Sequence, residues 1–192
     1  MRLGIFGGTF DPPHVGHLLV AVDAVEHLSL DRLVFIPAAI QPLKAARAIA
    51  SAAQRLEMVR RLIGDDTRFA VDAIEAEREG VSFSVDTVAA YADRYPAAER
   101  FFLVGADVVE SFGSWREPER IAQLATIVVV RRGDEIASTK SGTSAVAFRQ
   151  LRTRRVDVSS TEIRARVGAG KSIHGFVPPA VADYIESAGL YR

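Results

Sequence analysis

Cysteine is absent from the 192 residues, so no disulfide framework can form and no thiolate is available to a metal. Charge of one sign is not in excess either. Lys+Arg and Asp+Glu both number 24, and nothing global marks the chain as a partner of nucleic acid or of a membrane surface. Long hydrophobic runs are missing, and stretches such as Ile127 to Val130 are far too short to span a bilayer. The first residues lack the basic-then-apolar pattern of a secretory signal, and a cytoplasmic location is expected. Histidine is scarce: beyond His14 and His17 there are only His27 and His174, which leaves a zinc site short of ligands. What is present is an ordinary globular balance, 48% hydrophobic and 25% charged, in a length suited to one domain over residues 1–192.

Short apolar runs at Leu3 to Phe6, Leu33 to Ile36, Phe69 to Val71, Phe101 to Val104 and Ile127 to Val130 read as strands, with Val156 to Val158 as a sixth candidate. Between them, Val15, Leu18, Leu19, Val22 and Val25 recur at helical spacing, as do Leu56, Val59 and Ile63, then Val85, Val88, Ala92 and Tyr95. A last helix carries Val181, Tyr184, Ile185 and Ala188 in register. Alternating strand and helix predict an α/β fold, a central mainly parallel sheet with helices on both faces. Ligands of such sheets bind beyond the carboxyl ends of the strands, where the strand order reverses. The connection from Pro37 to Ala50, with Gln41, Pro42, Lys44 and Arg47, is long for its kind and reads equally as a substrate lid or a simple insertion. Gly133 to Thr143 reads as a second irregular loop.

The run Gly7-Gly8-Thr9-Phe10-Asp11-Pro12-Pro13-His14-Val15-Gly16-His17 puts glycines, a helix start and two histidines directly after the first strand. Glycines permit positive φ and close backbone approach, and a helix N-terminus presents free N–H groups to an anion. Asp11 is expected to cap that helix, with Pro12 or Pro13 in its first turn. His14 and His17, three apart, share one helix face. The arrangement points to a nucleotide-phosphate site, the competing readings being an ordinary turn or a zinc half-site. Near the other end, Val158-Ser159-Ser160-Thr161-Glu162-Ile163-Arg164 reads as a capped helix start, with Ser159 or Ser160 at the cap. Residues 149–171 carry Arg149, Arg152, Arg154, Arg155, Arg164, Arg166 and Lys171 against only Asp157 and Glu162, a solvated basic face or an anion site.

With Ser82-Phe83-Ser84-Val85-Asp86-Thr87 and Leu103-Val104-Gly105-Ala106-Asp107 followed by Trp115, these blocks make the chain resemble, nearly end to end, the bacterial nicotinate-mononucleotide adenylyltransferases of the nucleotidylyltransferase superfamily. The resemblance implies a Rossmann-like three-layer fold and the transfer of an adenylyl group from ATP to nicotinate mononucleotide, with pyrophosphate released, in NAD synthesis. It implies catalytic roles for His14, His17, Lys44 and Arg164. ATP would meet Gly7, Gly8, Thr9, Phe10, His17, Gly105, Asp107, Ser160, Thr161, Ile163 and Arg164. Nicotinate mononucleotide would meet Gly8, Thr9, Lys44, Ser84, Thr87 and Trp115, the only tryptophan, which would stack on the pyridine ring. Mg²⁺ is expected to enter with ATP, its ligands mostly phosphate and water. The partners expected are the two nucleotides, with no nucleic acid and no membrane; a homo-oligomer is compatible with the sequence.

Leu43 stands where the family often has a histidine in the long loop, Phe83 where tyrosine is common, and Arg132 where proline is common. The alternative readings are another adenylyltransferase of the superfamily, such as phosphopantetheine adenylyltransferase, and a non-catalytic nucleotide-binding module. Both histidines, Lys44 and Arg164 together argue against the module, which would not need the full set of phosphate donors.

Overall fold

The computed structural model describes residues 1–38, 49–78, 81–132 and 146–192. In chain order these form β1 (Arg2–Gly8), α1 (Val15–Leu28), β2 (Arg32–Pro37), α2 (Ala52–Ile63), β3 (Phe69–Val71), α3 (Ser84–Arg94), β4 (Glu99–Gly105), α4 (Pro118–Leu124), β5 (Thr126–Arg132), β6 (Arg149–Thr153), α5 (Ser160–Gly168) and α6 (Pro179–Ser187). The strands make one six-stranded sheet in the order β3-β2-β1-β4-β5-β6, and every neighbouring pair is parallel.

Side chains alternate across each strand, so each strand feeds both faces of the sheet. Leu33, Phe35, Phe101 and Leu103 point to a core closed by α1, α2, α5 and α6 through Ala24, Met58, Ile163 and Val181. Leu3, Ile5, Phe102 and Val104 point to a second core closed by α3 and α4 through Val88 and Ile121. The strands therefore read as nearly continuous apolar runs, the signature of a sheet buried on both faces. Among the described residues no helix is long and apolar enough to cross a membrane.

Two elements differ from expectation. The sixth strand is Arg149–Thr153, and Val156 to Val158 lies in the irregular lead into α5 instead. Its sequence hides it because only Leu151 and Thr153 turn inward, while Arg149 and Arg152 lie exposed on an edge strand. Helix α4 was not foreseen either; Pro118 occupies its first turn, which suits a residue without an N–H. The helices α1, α2, α3 and α6 lie where the apolar spacing put them.

A polar cluster fastens α3 to the end of β3. Asp72 accepts from the Tyr91 hydroxyl at 2.5 Å and from Arg94 at 2.7 Å. Burial pushes the Asp72 carboxyl up, but the hydrogen bonds from Tyr91 and Arg94 outweigh it and hold it below the ordinary 3.8. A carboxyl depressed in the folded state stabilises above its unfolded value, and that stabilisation is lost as pH falls through the folded value. Tyr91→Phe is expected to cost about 1–2 kcal/mol at neutral pH and to weaken the acid dependence of Tm below pH 3.8. Thermal melts across that range check it, and an unchanged acid profile counts against it.

Candidate active site

The strand order reverses between β1 and β4, which leave the sheet side by side with their connections running in opposite directions. A cleft of about 1020 Å³ opens at their carboxyl ends. Its floor is the turn after β1. A Cβ on Gly8 would stand 2.7 Å from the Phe10 ring, so only glycine lets that ring pass beneath the strand end. The positive φ expected of the glycines falls on Phe10 itself, at 50°. That residue is held in the left-handed region by packing: its ring is buried edge-on against Phe6 and Phe35.

The Phe10 ring also meets His17, with centroids 5.0 Å apart. His14 stacks on His17 at 3.8 Å, and the His14 backbone N–H donates to His17 Nδ1 at 3.2 Å. An accepting Nδ1 carries no proton, so the neutral ring bears its proton on Nε2. His17 lines the cleft as a half-buried donor. His14 is buried behind it and does not line the cleft; it is the N-cap of α1 and the support for its neighbour.

Asp11 does not cap α1, and neither proline enters the helix. Buried at 4% exposure, Asp11 accepts from the backbone N–H groups of Ile49 and Ala50 and from the Tyr191 hydroxyl. Its position beside the buried Arg55 favours these partners over a cap. Burial pushes the Arg55 guanidinium below its ordinary value, against the opposing charge of Asp11.

The two terminal sequence blocks meet here. Ser160 Oγ donates to the Pro12 carbonyl at 2.8 Å. Arg164 Nη1 donates to the Asp11 carbonyl at 2.7 Å and Nη2 to Thr161 Oγ1 at 3.3 Å. Ser159 is the α5 cap, accepting from the Glu162 N–H. Ser160, Thr161 and Arg164 therefore line the cleft beside the His17 wall. Ile163 does not: fully buried, it belongs to the core under α5, and its N–H is spent on the Ser159 carbonyl. Of the basic residues in 149–171, Arg164 faces the cleft, whereas Arg154 pairs with the buried Asp23, Arg155 with Asp157, and Arg166 lies over Phe176. Arg152, Arg154 and Arg155 line a separate pocket with Asp23 and His27, so the basic segment is divided between that pocket and the cleft.

The opposite wall is built by the ends of β4 and α3. Asp107 sits exposed in a short 3-10 turn after Gly105, where a Cβ on the glycine would collide with the Asp107 carboxylate. Trp115 packs on Phe112 at 5.0 Å and on Phe102 at 6.4 Å, half-buried, and its free side lines the cleft. Ser84 opens α3 and faces the cleft. Thr87, 2% exposed, donates to Glu75 Oε1 at 2.7 Å and accepts from Arg78 at 3.4 Å, so its hydroxyl is committed to fixing the wall. Glu75, Ser82, Phe83 and Arg116 also line the cleft and were missed as site residues. Glu75 and Arg116 lie in irregular segments where no periodicity marks an inward face; Arg116 stands 4.8 Å over the Phe83 ring. Lys44, Leu43 and Arg47 lie outside the described residues, as does the loop 133–143.

The cytidylyltransferase-like family model matches residues 5–166, which takes in both phosphate-side blocks. A Gemmatimonas aurantiaca protein named "Probable nicotinate-nucleotide adenylyltransferase" is 52% identical over 198 residues, covering 100% of this chain and 93% of the relative. The chain belongs to the nicotinate-nucleotide adenylyltransferase family. A Thermus thermophilus member is 42% identical over 193 residues, with 100% of both chains covered. The fold also matches that of Plasmodium falciparum nicotinic acid mononucleotide adenylyltransferase complexed with NaAD, with TM-score 0.77 at 17% identity, over 99% of this chain and 97% of that one. The Rossmann-like architecture of the family is thus the one seen here. Among the described residues, no group of three or more His, Cys, Asp or Glu side chains converges to hold a metal ion.

Proposed function

We propose that the cleft joins ATP to nicotinate mononucleotide by direct in-line attack, with residues 1–192 acting as one nucleotidyltransferase domain. A phosphate oxygen of the mononucleotide attacks the α-phosphorus of ATP. The bond from that phosphorus to the bridging oxygen breaks, pyrophosphate leaves, and nicotinate adenine dinucleotide remains for NAD synthesis. The observation that carries this reading is the convergence of His17, Arg164 and the α5 start on one side of a single cleft with Trp115 and the α3 start on the other. A volume of about 1020 Å³ stands at the top of the range of roughly 300–1,000 Å³ for a single-ligand site. That suits a reaction in which two nucleotides must meet.

The nucleophile is already an anion, so no general base is required, and catalysis reduces to alignment and charge stabilisation. His17 Nε2–H donates to the α-phosphate, where charge is redistributed as the fifth oxygen approaches. Gly8 and Thr9 supply donors close to the joined phosphates, and Gly7 leaves the strand end open to them. Ser160, Thr161 and Arg164 hold the β- and γ-phosphates at the α5 N-terminus. Lys44 would add a cation for the phosphates. Asp107 accepts from the ribose hydroxyls. His14 acts behind His17 as its support. Magnesium entering with ATP would be held mostly by phosphate and water and would supply charge neutralisation for the departing pyrophosphate. Trp115 stacks on the pyridine ring, and the α3 N-terminus at Ser84 receives its carboxylate, favouring the acid over the amide. Substrates of this kind place the enzyme in the cytoplasm.

Pyrophosphate release from MgATP with nicotinate mononucleotide, nicotinamide mononucleotide or phosphopantetheine tests the reading. Turnover is expected to be fastest with the nicotinate compound, and fastest turnover with phosphopantetheine overturns it. Trp115→Ala is expected to raise KM for the mononucleotide about tenfold, the scale of a ring pair worth ~1.5 kcal/mol. Trp115→Phe keeps the packing on Phe112 and most of that affinity. An effect confined to the KM for ATP would remove Trp115 from the pyridine subsite.

A further inference from the structure

We propose that Tyr191, which follows α6 and lies outside the cleft, is a positioning residue for the ATP-phosphate end of the active site and acts through Asp11. The inference rests on the assignment of Arg164 to the ATP phosphates. The Tyr191 hydroxyl donates to Asp11 Oδ1 at 2.6 Å across 180 residues of sequence. The same carboxylate receives the N–H groups of Ile49, at 2.7 Å, and Ala50, at 3.1 Å, immediately before Ser51 caps α2. The backbone carbonyl of Asp11 receives Arg164 Nη1 at 2.7 Å. One residue of the phosphate turn therefore gathers the segment after α6, the entry to α2 and the α5 arginine.

Arg55 braces the junction from beneath. Buried at 2% exposure, it donates to the Thr9 carbonyl at 2.8 Å and to the Ala50 carbonyl at 3.2 Å. Asp11 thus stands between a buried guanidinium and a phenol. Burial, and then the hydrogen bond to Asp11, push the Tyr191 hydroxyl well above its ordinary value, so it remains a donor at working pH. Without that hydroxyl the Asp11 carboxylate keeps Arg55 and the Ile49 and Ala50 N–H groups but loses its tie to the segment after α6. The carboxylate then settles toward its remaining partners, and the Asp11 backbone, whose carbonyl orients Arg164, is held less firmly. The site must then reorganise each time ATP phosphates arrive, a cost that preorganised donors avoid.

Tyr91 offers a matched control. Its hydroxyl also donates to a carboxylate, that of Asp72, but on the α3 side of the sheet and away from the cleft. Tyr191→Phe and Tyr91→Phe are compared by thermal melt, by steady-state kinetics with each substrate varied, and by equilibrium titration with ATP alone. Tyr191→Phe is expected to lower kcat/KM for ATP and the affinity for ATP about tenfold, with KM for the mononucleotide within about twofold. Tyr91→Phe is expected to lose stability only. If Tyr191→Phe loses stability with ATP kinetics and affinity unchanged, the assignment is overturned and Tyr191 is a structural prop. Should that variant melt near the assay temperature, the ATP titration is run in the cold, where unchanged affinity overturns the assignment equally. The titration does not involve the mononucleotide, so failure of the wild type to use that substrate would sink the proposed reaction without deciding the role of Tyr191.

Discussion

His17→Ala is expected to lower kcat by about 10²–10³-fold, the effect of losing one preorganised donor to a developing charge. Three contacts aim this side chain. The His14 N–H on Nδ1 fixes the tautomer that carries the proton on Nε2. The Phe10 edge and the stacked His14 ring fix its plane. Because the ring acts as a donor and not as a base, the pH profile of the residual activity should keep its wild-type shape. KM for ATP should change far less than kcat, since the interaction strengthens as the α-phosphorus gains its fifth oxygen. Loss of the Nδ1 acceptor costs about 0.5–1.5 kcal/mol of stability, small enough that circular dichroism should report an intact fold. Steady-state pyrophosphate release measures the effect, and near-normal turnover would remove His17 from the reaction.

The parts legible in the sequence were those that repeat. Apolar runs located β1 to β5 because both faces of a parallel sheet are buried, and helical spacing located α1, α2, α3 and α6 because each turns one stripe to the sheet. Strand β6 was missed because an edge strand buries alternate residues only, so Leu151 and Thr153 are separated by an exposed arginine. In the site, residue types at fixed offsets were readable: His17, Ser160 and Arg164 lie where their blocks put them, against one cleft. Direction was harder to read. His14 and His17 share a helix face by spacing, yet His14 is the N-cap, in extended conformation, so its ring falls behind its neighbour and out of the cleft. Asp11 had the sequence context of a cap, but its carboxylate answers to residues 38 and 180 positions away, which no local pattern encodes. Thr87, one helical turn from Ser84, lines the cleft with it, yet its hydroxyl is spent on Glu75, a partner supplied by an irregular segment.

Arg164→Ala carries the second large effect and separates a specific phosphate clamp from general basicity. The guanidinium reaches the cleft with one nitrogen on the Asp11 carbonyl and another on Thr161 Oγ1, so its plane is set before ATP arrives. Charge-assisted bonds to phosphate contribute about 1.5–3 kcal/mol each. The loss of a forked pair should therefore lower kcat/KM for ATP by about 10²–10³-fold, while KM for the mononucleotide moves little. Arg164→Lys keeps the charge and loses the fork, and should recover only part of the activity, remaining about tenfold below wild type. Arg154→Ala and Arg166→Ala remove equal charge from the same segment. In those positions the arginine is spent on Asp23 or lies over Phe176, so both variants should keep wild-type kinetics toward ATP. The Asp23 pair is half-buried, and Arg154→Ala should show its cost in Tm instead. If all three alanine variants weaken ATP use alike, and more so at low ionic strength, the phosphates respond to the summed field of the basic segment. Parallel kinetics of the three variants at low and high salt decide between a clamp built by α5 and a diffuse positive face.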